Sequence, residues 1–204
     1  MHGTITNCYS IGDIDSTGNS RYLGGISGYN ANATSCYSKV NIASAEYKSR
    51  SVYVGGISGS GGTIKNTLSI GDIYSRNGYA KRIIGNSSNN IETVYAYDNQ
   101  RINGFIKTDQ KDGATLLSLE NLKKENTYKE IIGFNDCYEY NKIDNGILPK
   151  LYNTEGTDLL PNQIDNQIYS DIPLLELETI DEVDKKPDSF TAVMTVYNPD
   201  NVEL

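Results

Sequence analysis

Few groups in this 204-residue chain could do covalent or metal chemistry: three cysteines, a single histidine and a scatter of carboxylates. Cys8 opens the stretch CYSIGDI and Cys36 opens CYSKVNI, so a thiol recurs in a fixed context. Two thiolates without a histidine or a C-x-x-C pair make a poor zinc site. A Cys8–Cys36 disulfide fits the Cα spacing of neighbouring strands, but parallel stacked side chains are badly set for a torsion of about 90°. The remaining reading is that of small buried apolar rungs. It is favoured by the further copies, which place Thr67 in TLSIGDI and Val94 in TVYAYDN at the same point. Cys137 has no counterpart and is expected in the core.

The other chemical candidates thin out in the same way. Zinc-peptidase chemistry of the HExxH type needs two imidazoles one helical turn apart with a glutamate base. The sequence has no HExxH and its one histidine is His2. A Ser-His-Asp triad needs a buried, oriented histidine, which a terminal residue does not supply. Asp13 and Asp72 recur with Asn41 between them; they could ligate calcium, but are expected to be solvated turn residues. Glycosidase chemistry needs two carboxylates about 5–10 Å apart on one face, and the acids of the repeats are scattered. The expectation is a chain that is not itself an enzyme and carries no cofactor. A polysaccharide-acting β-helix is the weakest alternative.

The elements that position these residues are repeats, which have to be read before anything else. GTITNCYSIGDI leads to LGGISGYN, ATSCYSKVNI to VGGISGSG, GTIKNTLSIGDI to RIIGNSSN, and an eroded fourth copy begins NIETVYAYDNQ. Cys8, Cys36, Thr67 and Val94 are equivalent, 28, 31 and 27 residues apart. Short alternating runs of β-branched residues indicate strands, and recurrent glycine suits corners rather than helices. Ile5 and Ile14 are nine apart, an odd spacing that strict alternation would put on opposite faces, so a corner or bulge must separate them. This predicts two strands per head motif and a third at GGISG. The fold expected is all-β, a right-handed parallel β-solenoid of about 28 residues per turn, three to four coils stacked about 4.8 Å apart. Internal ladders are expected at Ile5/Ile64, at Ile14/Ile42/Ile73 and at Ile26/Ile57/Ile83. Gly24, Gly25, Gly55 and Gly56 mark its corners. Asn7 and Asn66, with Ser35 and Thr93 at the equivalent places, are expected as inward hydrogen-bonding ladder residues.

The pattern GxIxNCYSxGDI followed by GGISG resembles the GLUG-type repeat of secreted bacterial surface proteins. It is most similar to the N-terminal, non-catalytic region of the M26 family of zinc metallopeptidases, the IgA-protease type of Gram-positive bacteria. LENLKKENTYKEIIGFNDCYEYNKIDNGILPKL resembles the way those regions close, except that Tyr138 and Tyr140 stand where the family usually has tryptophan. The resemblance covers residues 3–162. It implies an extracellular or cell-surface location, a longer parent chain and, in that parent only, a zinc centre. It also implies host glycoprotein or glycan as partner, and an adhesin module remains a second reading because adhesins carry the same repeats.

Three segments are therefore expected: repeats over 1–106, a capping helix and closing segment over 107–165, and a linker with the first strands of a truncated sandwich-like domain over 166–204. Ser118 is placed to N-cap a helix at 119–128 whose Leu119 and Leu122 would plug the open end of the solenoid. PLLELETI and SFTAVMTVYNP alternate as strands. The net charge of -8 argues against nucleic acid, and no apolar run approaches the roughly 20 residues of a membrane helix. With no tryptophan, the 16 tyrosines are the notable surplus. Tyr9, Tyr37 and Tyr95 occupy repeat positions and are expected to be structural. Tyr22, Tyr29, Tyr47, Tyr53, Tyr74 and Tyr79 fall in the variable stretches, where exposed tyrosine can stack on sugars or anchor a protein interface.

Overall fold

The computed structural model of the chain describes residues 3–17, 20–44, 52–76, 79–86, 90–106, 113–134, 136–152, 154 and 159–160, with two strand segments at 175–177 and 194–196. The chain divides into two compact units, Met1–Pro161 and Asn162–Leu204. In the first, the repeats wind into a parallel β-solenoid of about three turns. The first coil carries β1 (Gly3–Thr6), β2 (Tyr9–Ser16), β3 (Tyr22–Gly24) and β4 (Ser27–Tyr29). In the second, the leading strands fuse into β5 (Ala31–Ser44), followed by β6 (Tyr53–Gly55) and β7 (Ser58–Ser60). The third contributes β8 (Ile64–Ser69), β9 (Ile73–Ser75), β10 (Tyr79–Lys81) and β11 (Ile84–Asn86). A fourth, partial coil holds β12 (Ile91–Tyr97) and β13 (Arg101–Ile102), which turns back antiparallel into β14 (Phe105–Ile106). A last rung, β15 (Thr115–Leu117), pairs with β12.

Equivalent repeat residues lie opposite one another. Ile14, Ile42, Ile73 and Ile102 form one column, adding a fourth rung to the expected three. Cys36, Thr67 and Val94 form a second, with Cys8 beside Cys36 because Thr6 faces Thr34 and Tyr9 faces Tyr37. Ile5 and Ile64 share a third column, but Ala33 stands between them and Ile91 follows. Backbone bonds link Ile26 to Ile57 and Ile57 to Ile83, and the three pack in one cluster with Ala33, Cys36 and Ile64. Each fully buried isoleucine contributes about 1.5–3 kcal/mol over its exposed state. The Thr67 hydroxyl is buried in this core with no hydrogen-bond partner.

The odd spacing of Ile5 and Ile14 has a single-residue cause. Asn7, Ser35, Asn66 and Thr93 all take left-handed backbone angles, φ between 49 and 54°. One such residue per coil shifts the alternation by one, so Cys8 and Ile14 point inward while Tyr9 and Asp13 point out. Asparagine tolerates this conformation better than most residues. That conformation, and not an inward amide ladder, explains Asn7 and Asn66. Their side chains donate to the Cys137 sulfur and the Gly133 carbonyl of the flanking layer.

GGISG is not one strand but a bend between two. β3, β6 and β10 form one three-stranded parallel sheet, and β4, β7 and β11 form another. In the first two coils the bend leaves no room for side chains: a Cβ on Gly56 would lie 1.9 Å from the Ser69 hydroxyl, and one on Gly24 2.1 Å from the Ser27 carbonyl. In the third coil Arg82 takes the place of Gly56, and its side chain is buried. One rung beyond Ser69, the smaller Ala96 faces it across the ladder.

The capping helix differs most from expectation. Ser118 does cap it, its hydroxyl accepting from the Asn121 N–H, but α1 spans only Leu119–Leu122. The chain then continues as a π-helical stretch, Thr127–Ile132, that stops at Gly133 in a left-handed conformation. Nor do Leu119 and Leu122 plug an end. They pack with Tyr128, Ile132, Phe134, Tyr138, Leu148 and Leu160 in a cluster that includes Tyr37, Leu68 and Tyr97. This layer lies along the flank of the stack, over the outward column Tyr9–Tyr37–Leu68–Tyr95. The reason is that this column is apolar on a face that alternation turns toward solvent. Hydrogen bonds pin the layer down: Tyr37 donates to the Pro149 carbonyl, Tyr95 to that of Ile131, and Tyr138 to those of Cys8 and Ser35. GILPKL closes it, β16 (Tyr138–Glu139) pairing antiparallel with β17 (Lys150–Leu151). In the second unit, β18 (Leu175–Leu177) and β19 (Met194–Val196) pair antiparallel, within the two stretches read as strands. The remainder of 166–204 lies outside the described residues.

Candidate functional site

The thiols are rungs, as the repeats indicate, with one exception. Cys36 is fully buried and donates to the Thr34 carbonyl at 3.1 Å; burial pushes its thiol up to about 11. Cys8 is half-buried and donates to the Thr6 carbonyl. Cys137 is exposed rather than in the core. It sits at the turn into β16, where alternation sends the neighbouring Tyr138 inward and Cys137 outward. All three are free thiols.

The recurring acids form a hydrogen-bonded column. Asn41 donates its amide to Asp13 at 2.9 Å and accepts from the Asp72 N–H at 3.0 Å; Asp72 in turn accepts from the Arg101 N–H at 2.8 Å. These oxygens tie one coil to the next. Among the described residues no three His, Cys, Asp or Glu side chains converge on a common point.

Tyrosine is where the structure gathers what the sequence scattered. Tyr22, Tyr53 and Tyr79 are not loop residues. They occupy the first positions of β3, β6 and β10 and stand opposite one another in register. Their rings stack: Tyr22 and Tyr53 lie 5.7 Å apart at 17°, Tyr53 and Tyr79 5.1 Å apart at 8°. Tyr29, from β4, leans on Tyr22 at 4.9 Å, and the Arg21 guanidinium sits 5.2 Å from the centre of the Tyr22 ring. Each such ring pair contributes about 0.5–1.5 kcal/mol beyond its buried area. Tyr29 and Tyr79 are 63% and 55% exposed, Tyr22 and Tyr53 half-buried between them. Tyr74 is exposed on β9, opposite Ala43, and takes no part in the stack. Tyr47 lies outside the described residues.

Stacking decides what the row can offer. The inner ring faces cover one another, so the free surface is the outer face of Tyr79, the body of Tyr29 and a line of ring edges and hydroxyls. Arg21 at one end and Lys81, two residues from Tyr79 on the same strand face, add positive charge to a chain of net charge -8. Arg21 and the pairing of Tyr29 with Tyr22 escape sequence reasoning. The signal for the row itself is present: RYLGG, VYVGG and GYAKR align with tyrosine at one position. The chain matches no protein-family model, no curated protein and no solved structure.

Proposed function

We propose that this chain is a non-catalytic recognition scaffold, the β-solenoid region of a secreted or surface bacterial protein of the M26 metallopeptidase kind, and that the Tyr22–Tyr53–Tyr79 row with Tyr29 is its binding surface. One observation carries the reading: three aromatic rings held in line by strand register, with a fourth, Tyr29, leaning on the Tyr22 end and the Tyr79 end exposed. Ordering costs are low there, because the rings are already fixed by the strands that bear them. Rigid aromatic side chains of this kind anchor protein interfaces and stack on sugars. The partner class is host glycoprotein or glycan, met by ring edges, hydroxyls and the Tyr79 face, with Arg21 and Lys81 favouring acidic groups. The experiment is binding to a glycan array and to surface glycoproteins by the intact chain and by the Tyr22→Ala/Tyr53→Ala/Tyr79→Ala variant. Loss of binding with an unchanged circular dichroism spectrum supports the reading; equal binding ends it. An adhesin module uses the same surface. The reading frame beyond Leu204 separates the two: HExxH favours the peptidase parent, a wall anchor the adhesin.

A further inference from the structure

The stack holds two rings in an arrangement suited to covalent coupling, and we infer that Tyr53 and Tyr79 form an intramolecular dityrosine staple between adjacent coils when a one-electron oxidant reaches them. The inference rests on ring geometry and exposure alone and needs no ligand. Tyr53 and Tyr79 are rung neighbours with ring centroids 5.1 Å apart and planes within 8° of parallel. Tyr79 is 55% exposed, so an oxidant has access and the ring has room to slide. The Tyr22–Tyr53 pair is longer and less parallel, at 5.7 Å and 17°.

The chemistry balances with a peroxidase and hydrogen peroxide as oxidant. Each phenol loses one electron and one proton to become a phenoxyl radical. The two electrons and two protons reduce one peroxide to two waters. The radicals join ortho carbon to ortho carbon, and each ring regains aromaticity as the ortho proton moves to its oxygen. The product is one new C–C bond with both hydroxyls retained. It closes the chain between residues 53 and 79, tying the second coil to the third. A cross-link of this kind restricts the unfolded chain as a disulfide does, in a protein whose described coils are otherwise joined by non-covalent contacts.

An internal comparison sharpens the claim. Tyr9 and Tyr37 stack equally well, 5.1 Å apart at 6°, but Tyr37 is 1% exposed beneath the flanking layer and its hydroxyl is held by the Pro149 carbonyl. Of these two near-parallel pairs, geometry alone would couple both, and access selects Tyr53 and Tyr79; the Tyr22–Tyr29 contact, 4.9 Å and open at Tyr29, is tilted by 37°. The test is to treat the full chain with horseradish peroxidase and peroxide at low protein concentration, isolate monomer, and digest with trypsin. The expected result is dityrosine fluorescence in the monomer and a cross-linked product joining residues 51–65 to residues 77–81. It is lost in Tyr79→Phe, kept in Tyr9→Phe, and accompanied by a raised thermal midpoint in the oxidised wild type. Absence of dityrosine from the monomer, an undiminished yield in Tyr79→Phe, or a cross-link joining Tyr9 to Tyr37 instead overturns the inference.

Discussion

The Thr67 rung allows a sharp test of the core. Its hydroxyl oxygen is buried without a partner, in a column whose next rung is Val94. Thr67→Val keeps the branched shape and replaces that hydroxyl by a methyl. A buried hydroxyl with no hydrogen bond costs about 1–3 kcal/mol, and a buried methyl group gains about 0.8 kcal/mol. Some of the first figure is recovered in the parent by relaxation, so the expected stabilisation is about 1–2 kcal/mol. For a domain of 150–250 residues each kcal/mol raises the midpoint by about 2–4 °C, so a rise of about 2–8 °C follows. Calorimetry and urea unfolding are the assays, with a higher urea midpoint and an unchanged slope. The reverse change, Val94→Thr, should cost a comparable amount, since Val94 is 5% exposed. A midpoint for Thr67→Val that stays level or falls would refute the reasoning, because it would mean that the hydroxyl is satisfied or that the column needs its polarity.

Two further outcomes follow from the same packing. Gly56→Ala should destabilise by about 1–3 kcal/mol or more, since its Cβ would meet the Ser69 hydroxyl at 1.9 Å and the Arg82 carbonyl at 2.3 Å. Adding Ser69→Ala should restore only part of the urea midpoint, because the Arg82 carbonyl contact remains; full restoration would refute a role for that carbonyl. The thiols should part by burial: iodoacetamide on the native protein should modify exposed Cys137 and spare Cys36, and equal labelling would contradict the buried rung. Because Cys36 titrates near 11 when folded and near 9.0 unfolded, the folded state keeps its proton longer. Its contribution is therefore present below about pH 9 and is lost as pH rises toward 11. Burial raises Tyr128, Tyr138 and Tyr140 in the same direction. Alkaline unfolding followed in the wild type and in Cys36→Val should show a shallower loss over this range in the variant.

The repeats made much of the solenoid legible. A side chain repeated at one point of every coil must meet its own kind across the ladder, so aligning CYSIGDI, CYSKVNI and TLSIGDI already placed Cys36 beside Thr67 and Ile42 beside Ile73. The left-handed turn at Asn7 was visible only as an awkward spacing of isoleucines, because a change of phase does not say which residue carries it. The tyrosine row is legible only on one alignment: Tyr22, Tyr53 and Tyr79 look like variable-stretch residues until aligned on the positions of the glycine pair that follow them. The exposure of Cys137 is hidden from the sequence for a different reason. It stands outside the repeats, where no second copy shows which face alternation assigns to it.

Local pattern and periodicity thus settle the coil, its rungs and the identity of its inward columns, since these depend on contacts between equivalent residues. They do not settle where a non-repetitive segment docks. That Leu122, Tyr128 and Phe134 cover the flank over Tyr37, and do not plug the end, depends on which exposed apolar surface they best complement. That Tyr29 and Arg21 join Tyr22 in one aromatic stack depends on how tightly the glycine bend brings β3 and β4 together. Both are matters of packing between residues with no periodic relation, and only the folded chain brings them together.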